Sequence, residues 1–477
     1  MPFAEKDMEK INHVLGDWFE KNEQNVIEVS KKLWELAELK FNEIESCKLL
    51  SEWLQEEGFT LERGVSGMPT AYVATFTHGE NGPVIGINSE YDALPNMGNE
   101  LTDHFAPTGK SGHGCGHNLL GASCTASAIA IKHALVELNI PGTIKSFGCP
   151  AEEGGSAKVF MVRDGVYDGV DAMIGWHPAN ATVTSLANCL AIYSVKYTFY
   201  GKAAHAGTTP HLGRSALDAA LLMDVGVNYL REHMPISHRI HSVITNGGLA
   251  PNIVPDEAQI WYYLRAPQRR EVDELLERVN KIAKGMAMAT ETTVDIRITS
   301  AASNSIRNKT LLMMMRKHLI DIGAPKFTPE EHAFAKAINK DVTLTQKLEN
   351  MKMMYGITDE HASDDLYEYI GSDLQENVTA PYSGDAADIG WLIPMAGINV
   401  ACQSVGSGNH SWQQVVCSGM GIGQKGMMVA CRVMARSGMN LMIDRELLAE
   451  AQKEQKASVA DYPYVSPLPK DLKPGDE

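Results

Sequence analysis

The chain is 477 residues long, which exceeds the size at which a single hydrophobic core stops growing, so we expect two domains. Hydrophobic residues make up 44% and charged residues 21%, as in ordinary globular proteins. The 42 Lys and Arg against 59 Asp and Glu give a net charge of −17, and a surface of that sign repels phosphates and anionic headgroups. We therefore expect neither nucleic acid nor membrane as a partner.

The beginning of the chain has no apolar segment flanked by Lys or Arg, and no later segment reaches about 18 uninterrupted apolar residues. This pattern predicts a cytoplasmic protein. The eight cysteines form no CxxC pair, which is the opposite of a secreted disulfide scaffold. Most of them are expected to be buried thiols, with Cys115 as the exception.

Helical and strand patterns alternate in the first part of the chain. Apolar residues at helical spacing predict a helical pair or a kinked helix over 25–57, broken near Lys40 and Phe41. An Ala-rich helix is predicted at 118–138, and strands are predicted at 71–76, 84–87, 143–147 and 172–175. This alternation predicts an α/β sheet covered by helices, in which functional residues collect at the carboxyl ends of the strands.

The pattern changes near residue 190. Strands and helices there follow the ferredoxin-like order β-α-β-β-α-β, with predicted bounds of 191–200, 215–233, 240–245, 258–264, 271–289 and 293–299. We interpret 189–303 as a small domain inserted into a larger one formed by 1–188 and 304–477. A strand at 398–405 and a helix from about 420 to 436 complete the larger domain.

Cys115 and His117 lie in the motif His113-Gly114-Cys115-Gly116-His117-Asn118, directly before the predicted helix. The glycines allow a tight turn that directs both side chains toward one point. The helix amino terminus favours the thiolate that metal binding requires. Taken alone, the motif is equally typical of a glycine-rich turn with a buried cysteine.

Further polar residues follow other predicted strands: Glu152 and Glu153, His177, and His410. Each of these groups alone is more typical of a solvated turn or of a hydrogen-bonded core histidine. Together with the cysteine motif, they offer one thiolate, carboxylates and three imidazoles, a ligand set for a pair of borderline-soft divalent ions. Two ions that share a ligand can activate a water molecule and polarise a carbonyl group.

These motifs closely resemble the dinuclear metallopeptidase and aminoacylase family that includes carboxypeptidase G, and its cysteine-bearing amidohydrolase branch. The resemblance continues in 201–219, which is similar to the lid motif of that branch, and it spans about Leu39 to His410. It implies an α/β fold with a metallopeptidase-type mixed sheet flanked by helices and an inserted ferredoxin-like lid and dimerisation domain.

The resemblance implies which side chains would hold the metals. Cys115 would bridge two divalent ions, with His117 and Glu153 on one ion and His177 and His410 on the other. Thiolate and imidazole ligands favour Zn²⁺, and Mn²⁺ is the second choice because related enzymes use it.

The resemblance also implies catalytic and substrate-binding roles. Glu152 would be the general base for the attacking water, and Asp92 would orient a metal ligand. His205, reaching over from the lid of a partner subunit, would stabilise the oxyanion with the help of Asn252. Arg265 would grip a substrate carboxylate.

Some positions remain without a role at this point. Many members of the family have a histidine ligand where this chain has Glu90, and the branch usually has aspartate where this chain has Asn118. Asp385 and Asp388 resemble an acidic loop of the family, and the sequence does not tell whether they bind metal or only make structural hydrogen bonds.

The expected activity is metal-dependent hydrolysis of the amide bond of an N-acyl or N-aroyl amino acid with a free carboxylate. The first substrate choice is p-aminobenzoyl-glutamate, a folate catabolite. Alternative enzyme activities are those of a dipeptidase or of an indoleacetyl-aspartate hydrolase. The active form is expected to be a homodimer or a heterodimer with a homologous subunit. From other classes, a non-catalytic partner subunit and a binding protein for folate fragments remain open, although intact Glu152 and five ligands favour an enzyme.

Overall fold

The computed structural model describes residues 5–476, which form two compact units. The first unit extends to Ala187 and resumes over Ile306–Ala380 and Ile389–Tyr464. The second comprises Asn188–Ser305, Pro381–Asp388 and the chain from Val465 onward. The domain bounds predicted from the sequence place the last two segments in the larger domain, whereas the range 189–303 lies within the second unit.

The strands, in chain order, are β1 Thr60–Arg63, β2 Tyr72–His78, β3 Val84–Glu90, β4 Gly142–Cys149, β5 Ala172–Ala179, β6 Val183–Thr184, β7 Ala191–Tyr200, β8 Arg239–Asn246, β9 Glu257–Ala266, β10 Thr293–Ala302 and β11 Met395–Ala401. The α-helices are α1 Glu5–Leu36, α2 Ile44–Glu56, α3 His117–Glu137, α4 Glu152–Gly155, α5 Ala157–Arg163, α6 Ala216–Leu230, α7 Arg269–Ala289, α8 Lys309–Ile322, α9 Pro329–Ile338, α10 Leu344–Tyr355, α11 Ala387–Gly390, α12 Trp412–Ser418, α13 Gly421–Ile443 and α14 Arg445–Ser458.

The first unit is built on a seven-stranded mixed sheet in the order β1-β2-β4-β3-β5-β11-β6. Strands β4, β3, β5 and β11 run parallel to one another, and β1, β2 and β6 add antiparallel pairs at the two sides. Nearly every residue of β3 and β4 is buried, as expected for parallel strands covered on both faces. Their carboxyl ends meet at one edge, where Glu90 lies opposite Cys149.

Helix α3 lies in the core of the first unit, packed between α1, α13 and the sheet. Its Ala-rich sequence is apolar all round, which is typical of a fully buried helix. Among residues 5–476, it is the only helix long and apolar enough to cross a membrane, and 83% of its most apolar stretch is buried within the fold. We therefore interpret it as a core helix.

The second unit has the predicted ferredoxin-like arrangement, with a four-stranded antiparallel sheet in the order β10-β7-β9-β8. Helices α6 and α7 cover one face of this sheet. Along β9, buried residues alternate with half-exposed ones, because successive side chains of a strand point to opposite faces. The face opposite the helices is thus left with polar and aromatic side chains.

The structure differs from the predicted elements in several places, and the last strand covers 395–401 rather than the predicted 398–405. Helix α1 begins at Glu5 rather than near Asn25, although Ile11, Leu15 and Phe19 already have helical spacing and are buried. Edge strands β1 and β6 were not predicted, because they are only four and two residues long. Strand β5 continues to Ala179, so His177 lies inside a strand rather than after it.

Candidate metal centre

The Cys115–His117 motif is shaped by Gly116 and Pro178. Gly116 has a φ of 75°, the left-handed conformation that glycine adopts readily, and it directly precedes α3. A Cβ atom on Gly116 would lie 3.0 Å from Cγ of Pro178, so only glycine fits without a shift. This close approach brings Cys115 and His117 next to His177 on β5.

His117 is held by Asp92, two residues beyond the end of β3. Its Nδ1–H donates to Oδ1 of Asp92 at 2.9 Å, and both side chains are fully buried. With Nδ1–H donating to Asp92, deprotonation of the other nitrogen would leave the Nε2 lone pair for a metal ion. Nε2 is buried and has no hydrogen-bond partner among residues 5–476. A buried nitrogen of this kind is suited to a metal ion.

The turn after β4 carries Glu152 and Glu153. Ala151 has a φ of 51°, which is unusual for a residue other than glycine, and it begins the turn. The backbone N–H of Glu153 donates to Oδ2 of Asp92 at 2.8 Å. Oε2 of Glu152 lies 4.0 Å from Nε2 of His117. The carboxylates of Glu152 and Glu153 therefore both lie close to the His117 ring.

His177 and His410 complete the cluster. Nδ1–H of His177 donates to the Pro178 carbonyl at 2.8 Å, which leaves Nε2 facing Sγ of Cys115 at 3.5 Å. His410 lies in the loop before α12 with a φ of 54°, and its N–H donates to the Gly114 carbonyl. Its Nε2 lies 3.1 Å from Oε1 of Glu153.

The six predicted side chains thus come together in three groups whose candidate ligand atoms lie within 4.8 Å of one another: Cys115 with His117 and His177, Cys115 with Glu153 and His410, and His117 with Glu152 and Glu153. Cys115 belongs to two groups, the place expected of a bridging ligand. His117 and Glu153 share one group, as the predicted ligand set has them, and His177 and His410 each lie in a group with Cys115.

Burial and neighbouring charges set the electrostatics of the cluster. Burial raises the pKa of the Cys115 thiol far above its ordinary value. A bound cation would favour the thiolate, which the helix amino terminus was expected to help form. Burial opposes ionisation of Asp92 as well, but the adjacent His117 and the hydrogen bond from the Glu153 N–H together lower the pKa of Asp92.

Glu90 is a component of the site to which the sequence had assigned no role. Its Oε1 forms an ion pair at 2.9 Å with Nζ of Lys158, a fully buried lysine, and its Oε2 lies 3.5 Å from Nε2 of His117. Burial opposes ionisation of Glu90, but Lys158, His117 and His177 together outweigh it and lower the pKa of Glu90. Lys158 was missed because a single lysine within a helix gives no sequence signal of burial.

The other positions left without a role make structural hydrogen bonds. The side-chain amide of Asn118 donates to the carbonyls of Ser418, at 3.0 Å, and Ser30, at 3.3 Å. In the second unit, both carboxylate oxygens of Asp388 accept hydrogen bonds from Ser303. Asp385 is buried in the same segment of that unit.

The predicted lid residues lie in the second unit. His205 is exposed, and its Nδ1 accepts hydrogen bonds from the N–H groups of Gly207 and Thr208, both at 3.1 Å. The Ala206 N–H donates to the Asn252 carbonyl at 3.0 Å, so the loops of His205 and Asn252 are paired.

Arg265 lies on β9, directly opposite Arg239 of β8. Its Nη1 donates to Oγ of Ser383 at 3.1 Å, whereas its Nε is buried without a hydrogen-bond partner among residues 5–476. Burial lowers the pKa of Arg265. The hydrogen-bonding capacity of its guanidinium group is therefore only partly used within the second unit.

The donor set fits a divalent metal pair in chemistry and in reach. It combines a thiolate, carboxylates and imidazoles, with ring tautomers fixed by Asp92 and Pro178. Comparison with known proteins gives the same picture, because residues 86–411 match the peptidase family M20/M25/M40. The chain belongs to this family.

The chain is similar to one of the subunits of p-aminobenzoyl-glutamate hydrolase from Escherichia coli (strain K12), with 38% identity over 481 residues that cover 98% of this chain and 99% of that protein. It is also 33% identical to Xaa-Arg dipeptidase of Mus musculus over 294 residues, 59% of this chain and 65% of that protein. A solved dinuclear metal-binding M20 peptidase from Bacillus subtilis shares the fold, with a TM-score of 0.58, 18% identity and coverage of 89% of this chain and 99% of that one.

These findings confirm the family, the fold class and the enzyme class predicted from the sequence: an α/β metallopeptidase-type hydrolase of amide bonds. The likeness to a p-aminobenzoyl-glutamate hydrolase, which the Cys115 and Glu152 motifs also indicate, is confirmed over nearly the whole chain.

We expect replacement of Cys115 by serine to weaken metal binding at both positions, because Cys115 is common to two ligand groups. Loss of an outer contact to a ligand typically costs about 10–100-fold in metal affinity, and loss of the ligand itself should cost at least as much. Competition with a chromogenic chelator measures the affinity. Cys47→Ser, at a buried free thiol in α2, is the matched control, and equal affinities for the two variants would contradict the assignment.

Proposed function

We propose that this protein hydrolyses the amide bond of N-acyl or N-aroyl amino acids that carry a free carboxylate, with p-aminobenzoyl-glutamate as the first substrate choice. The observation that carries the proposal is the juxtaposition of two ligand groups sharing Cys115 with a further carboxylate, Glu152, at the same point. The 38% identity to a p-aminobenzoyl-glutamate hydrolase supports the choice of substrate.

Five side chains would hold the two metal ions: Cys115, His117, Glu153, His177 and His410. We rank Zn²⁺ ahead of Mn²⁺ as the bound metal, because thiolate and imidazole are borderline-soft ligands. When bound, two such ions lower the pKa of a water molecule and polarise the amide carbonyl.

The remaining proton chemistry falls to Glu152. Its carboxylate takes a proton from the attacking water and passes it to the departing amine, which leaves as the free amino acid. Asp92 holds His117 in the required tautomer through the 2.9 Å hydrogen bond to Nδ1.

The substrate carboxylate requires a cation, since the chain as a whole has a charge of −17. Arg265 supplies a guanidinium group, and Arg239 lies directly opposite it in the sheet. The Arg239 guanidinium group donates to the carbonyls of Ile236 and His238, so Arg265 is the cation that we assign to the substrate carboxylate.

We propose that the second unit is a lid and dimerisation domain, and that His205 and Asn252 act on the oxyanion in the site of a partner subunit. Strand β8 is a sheet edge with exposed Val243 and Ile244, and such edges favour pairing with another chain. The outer face of α6 is apolar too, with exposed Leu221, Leu222, Val225 and Tyr229. We assign this surface to a second copy of the chain in the cytoplasm.

A second candidate function is a non-catalytic partner that mainly lends its lid to a homologous chain. The likeness to a protein that is itself one subunit of a hydrolase favours it. Turnover by the purified chain alone distinguishes the two, because a non-catalytic partner shows none.

Replacing Glu152 by glutamine should lower kcat by about 10²–10⁴, the usual contribution of a general base, while the metal content stays unchanged. Glutamine preserves the size of the side chain but cannot accept the proton of water. Steady-state kinetics and metal analysis of the same preparation check this expectation. Near-normal turnover would remove Glu152 from the role of base.

Replacing His205 by alanine should abolish activity, and mixing this variant with Glu152→Gln should restore it in part. Each dimer site would combine Glu152 of one chain with His205 of the other, so random exchange of subunits should recover about a quarter of the sites. Native mass spectrometry verifies that mixed dimers form. Mixed dimers without activity would exclude a shared site.

Replacing Arg265 by methionine should raise KM for p-aminobenzoyl-glutamate by about 10-fold or more, because a bidentate contact to a carboxylate is lost. The test is a panel of N-acyl glutamates together with the corresponding amides, which lack the charge. Wild-type protein should prefer the acids, and the variant should not. An equal loss for acids and amides would contradict carboxylate recognition by Arg265.

A further inference from the structure

Glu43 is a buried acidic residue outside the predicted site. It is the residue before α2, and it has no exposed surface. Burying a carboxylate without hydrogen-bond partners is energetically costly, so the partners of Glu43 explain why this residue is tolerated in the interior.

The carboxylate of Glu43 joins three separate segments of the first unit. Its Oε1 accepts hydrogen bonds from the backbone N–H groups of Phe41 and Ala151, both at 2.9 Å. Its Oε2 accepts a hydrogen bond from Oγ1 of Thr70, also at 2.9 Å. One of these segments is the turn that carries Glu152.

Ala151 is the residue on which this contact acts. Its φ of 51° is left-handed, a conformation that costs an ordinary residue about 1–3 kcal/mol and persists only when the surroundings impose it. The Glu43 carboxylate fixes the N–H at the start of the turn, and Asp92 fixes the Glu153 N–H at its other end. Glu152 lies between these two fixed points.

Phe41 supports the same turn from the side. A Cβ atom built on Gly155 would lie 2.8 Å from Cζ of Phe41 and 2.6 Å from Cβ of Ala151, so the turn packs closely on this ring. Since Phe41 donates its own N–H to Glu43, the ring and the carboxylate are held together. The segment around Glu43 thus forms a support for residues 151–155.

We propose that Glu43 is a positioning residue that acts through the Ala151 N–H to hold the Glu152 carboxylate at the metal centre. Its effect on rate rests on the proposed function, whereas its effect on the turn does not. Among the described residues, the side-chain hydrogen bonds of Glu43 go to Phe41, Ala151 and Thr70 rather than to a ligand side chain, so its removal should change the geometry of the base more than the metal affinity.

The hydrogen bonds require an acceptor oxygen rather than a negative charge. Burial, with a further contribution from Asp92, raises the pKa of Glu43 to about 7, so part of the population is neutral near neutral pH. Glutamine keeps the acceptor oxygen for Phe41 and Ala151, and the Thr70 hydroxyl can turn to accept from the amide. Glu43→Gln should therefore rescue what Glu43→Ala loses.

The experiment compares Glu43→Ala, Glu43→Gln and a control, Glu38→Ala. Glu38 also accepts hydrogen bonds at the start of α2, from the N–H groups of Glu45 and Ser46 and from the Ser46 hydroxyl, but it makes no side-chain hydrogen bond to residues 151–153. The measurements are kcat and KM for p-aminobenzoyl-glutamate, metal content, and hydrogen–deuterium exchange of the segment containing Ala151 and Glu153.

Glu43→Ala should lower kcat by about 10²-fold, the cost of misplacing a catalytic group by about 1 Å, with KM and metal content nearly unchanged. It should also speed amide exchange at 151–153. Glu43→Gln and Glu38→Ala should stay close to the wild type in both measurements. If Glu43→Ala does not fold, Thr70→Val, which removes one contact to the carboxylate, should give the same changes at smaller size.

Three outcomes would overturn the proposal: wild-type kcat in Glu43→Ala, an equal fall in Glu38→Ala, or a loss of metal that accounts for the fall in rate. An inactive wild type with every substrate would instead refute the proposed function. In that case amide exchange still tests whether Glu43 holds the turn. Unchanged exchange at 151–153 in Glu43→Ala would refute this role.

Discussion

The carboxylate of Asp92 is the constraint on which the candidate metal centre depends. One oxygen accepts a hydrogen bond from His117 Nδ1–H, and the other accepts a hydrogen bond from the backbone N–H of Glu153. It thereby joins the start of α3 to the turn after β4 and fixes the ring nitrogen that faces the ligand cluster. Replacing Asp92 would disturb the ring and the turn together, so its two contacts do not contribute independently.

Parallel strands made much of this site predictable. Residues that follow β3 and β4 must meet at one edge of the sheet, which is why Asp92 and Glu153 could be expected near each other before any coordinates. Likewise, the Gly-Cys-Gly-His pattern indicated the turn at Cys115, and Gly116 adopts the left-handed conformation that it requires. These inferences rest on short-range rules and on the family resemblance.

The parts that sequence reasoning missed depend on contacts between distant residues. Glu43 and Ala151 are 108 positions apart, and nothing in either local sequence indicates that a carboxylate meets that N–H group. The same holds for Lys158 beside Glu90. His410 adopts a left-handed φ without being glycine, so its placement follows from its contact with Gly114 and not from propensity.

The charge of the centre determines where the substrate can be recognised. Two carboxylates about 4 Å apart repel each other by about 4 kcal/mol near a protein surface, and this site already contains Glu90, Glu152 and Glu153. Bound divalent ions would offset this charge, but the acidic side chains themselves offer a substrate carboxylate no hydrogen-bond donor. Under the proposed function, recognition of the substrate carboxylate therefore needs a cationic side chain, the role proposed for Arg265.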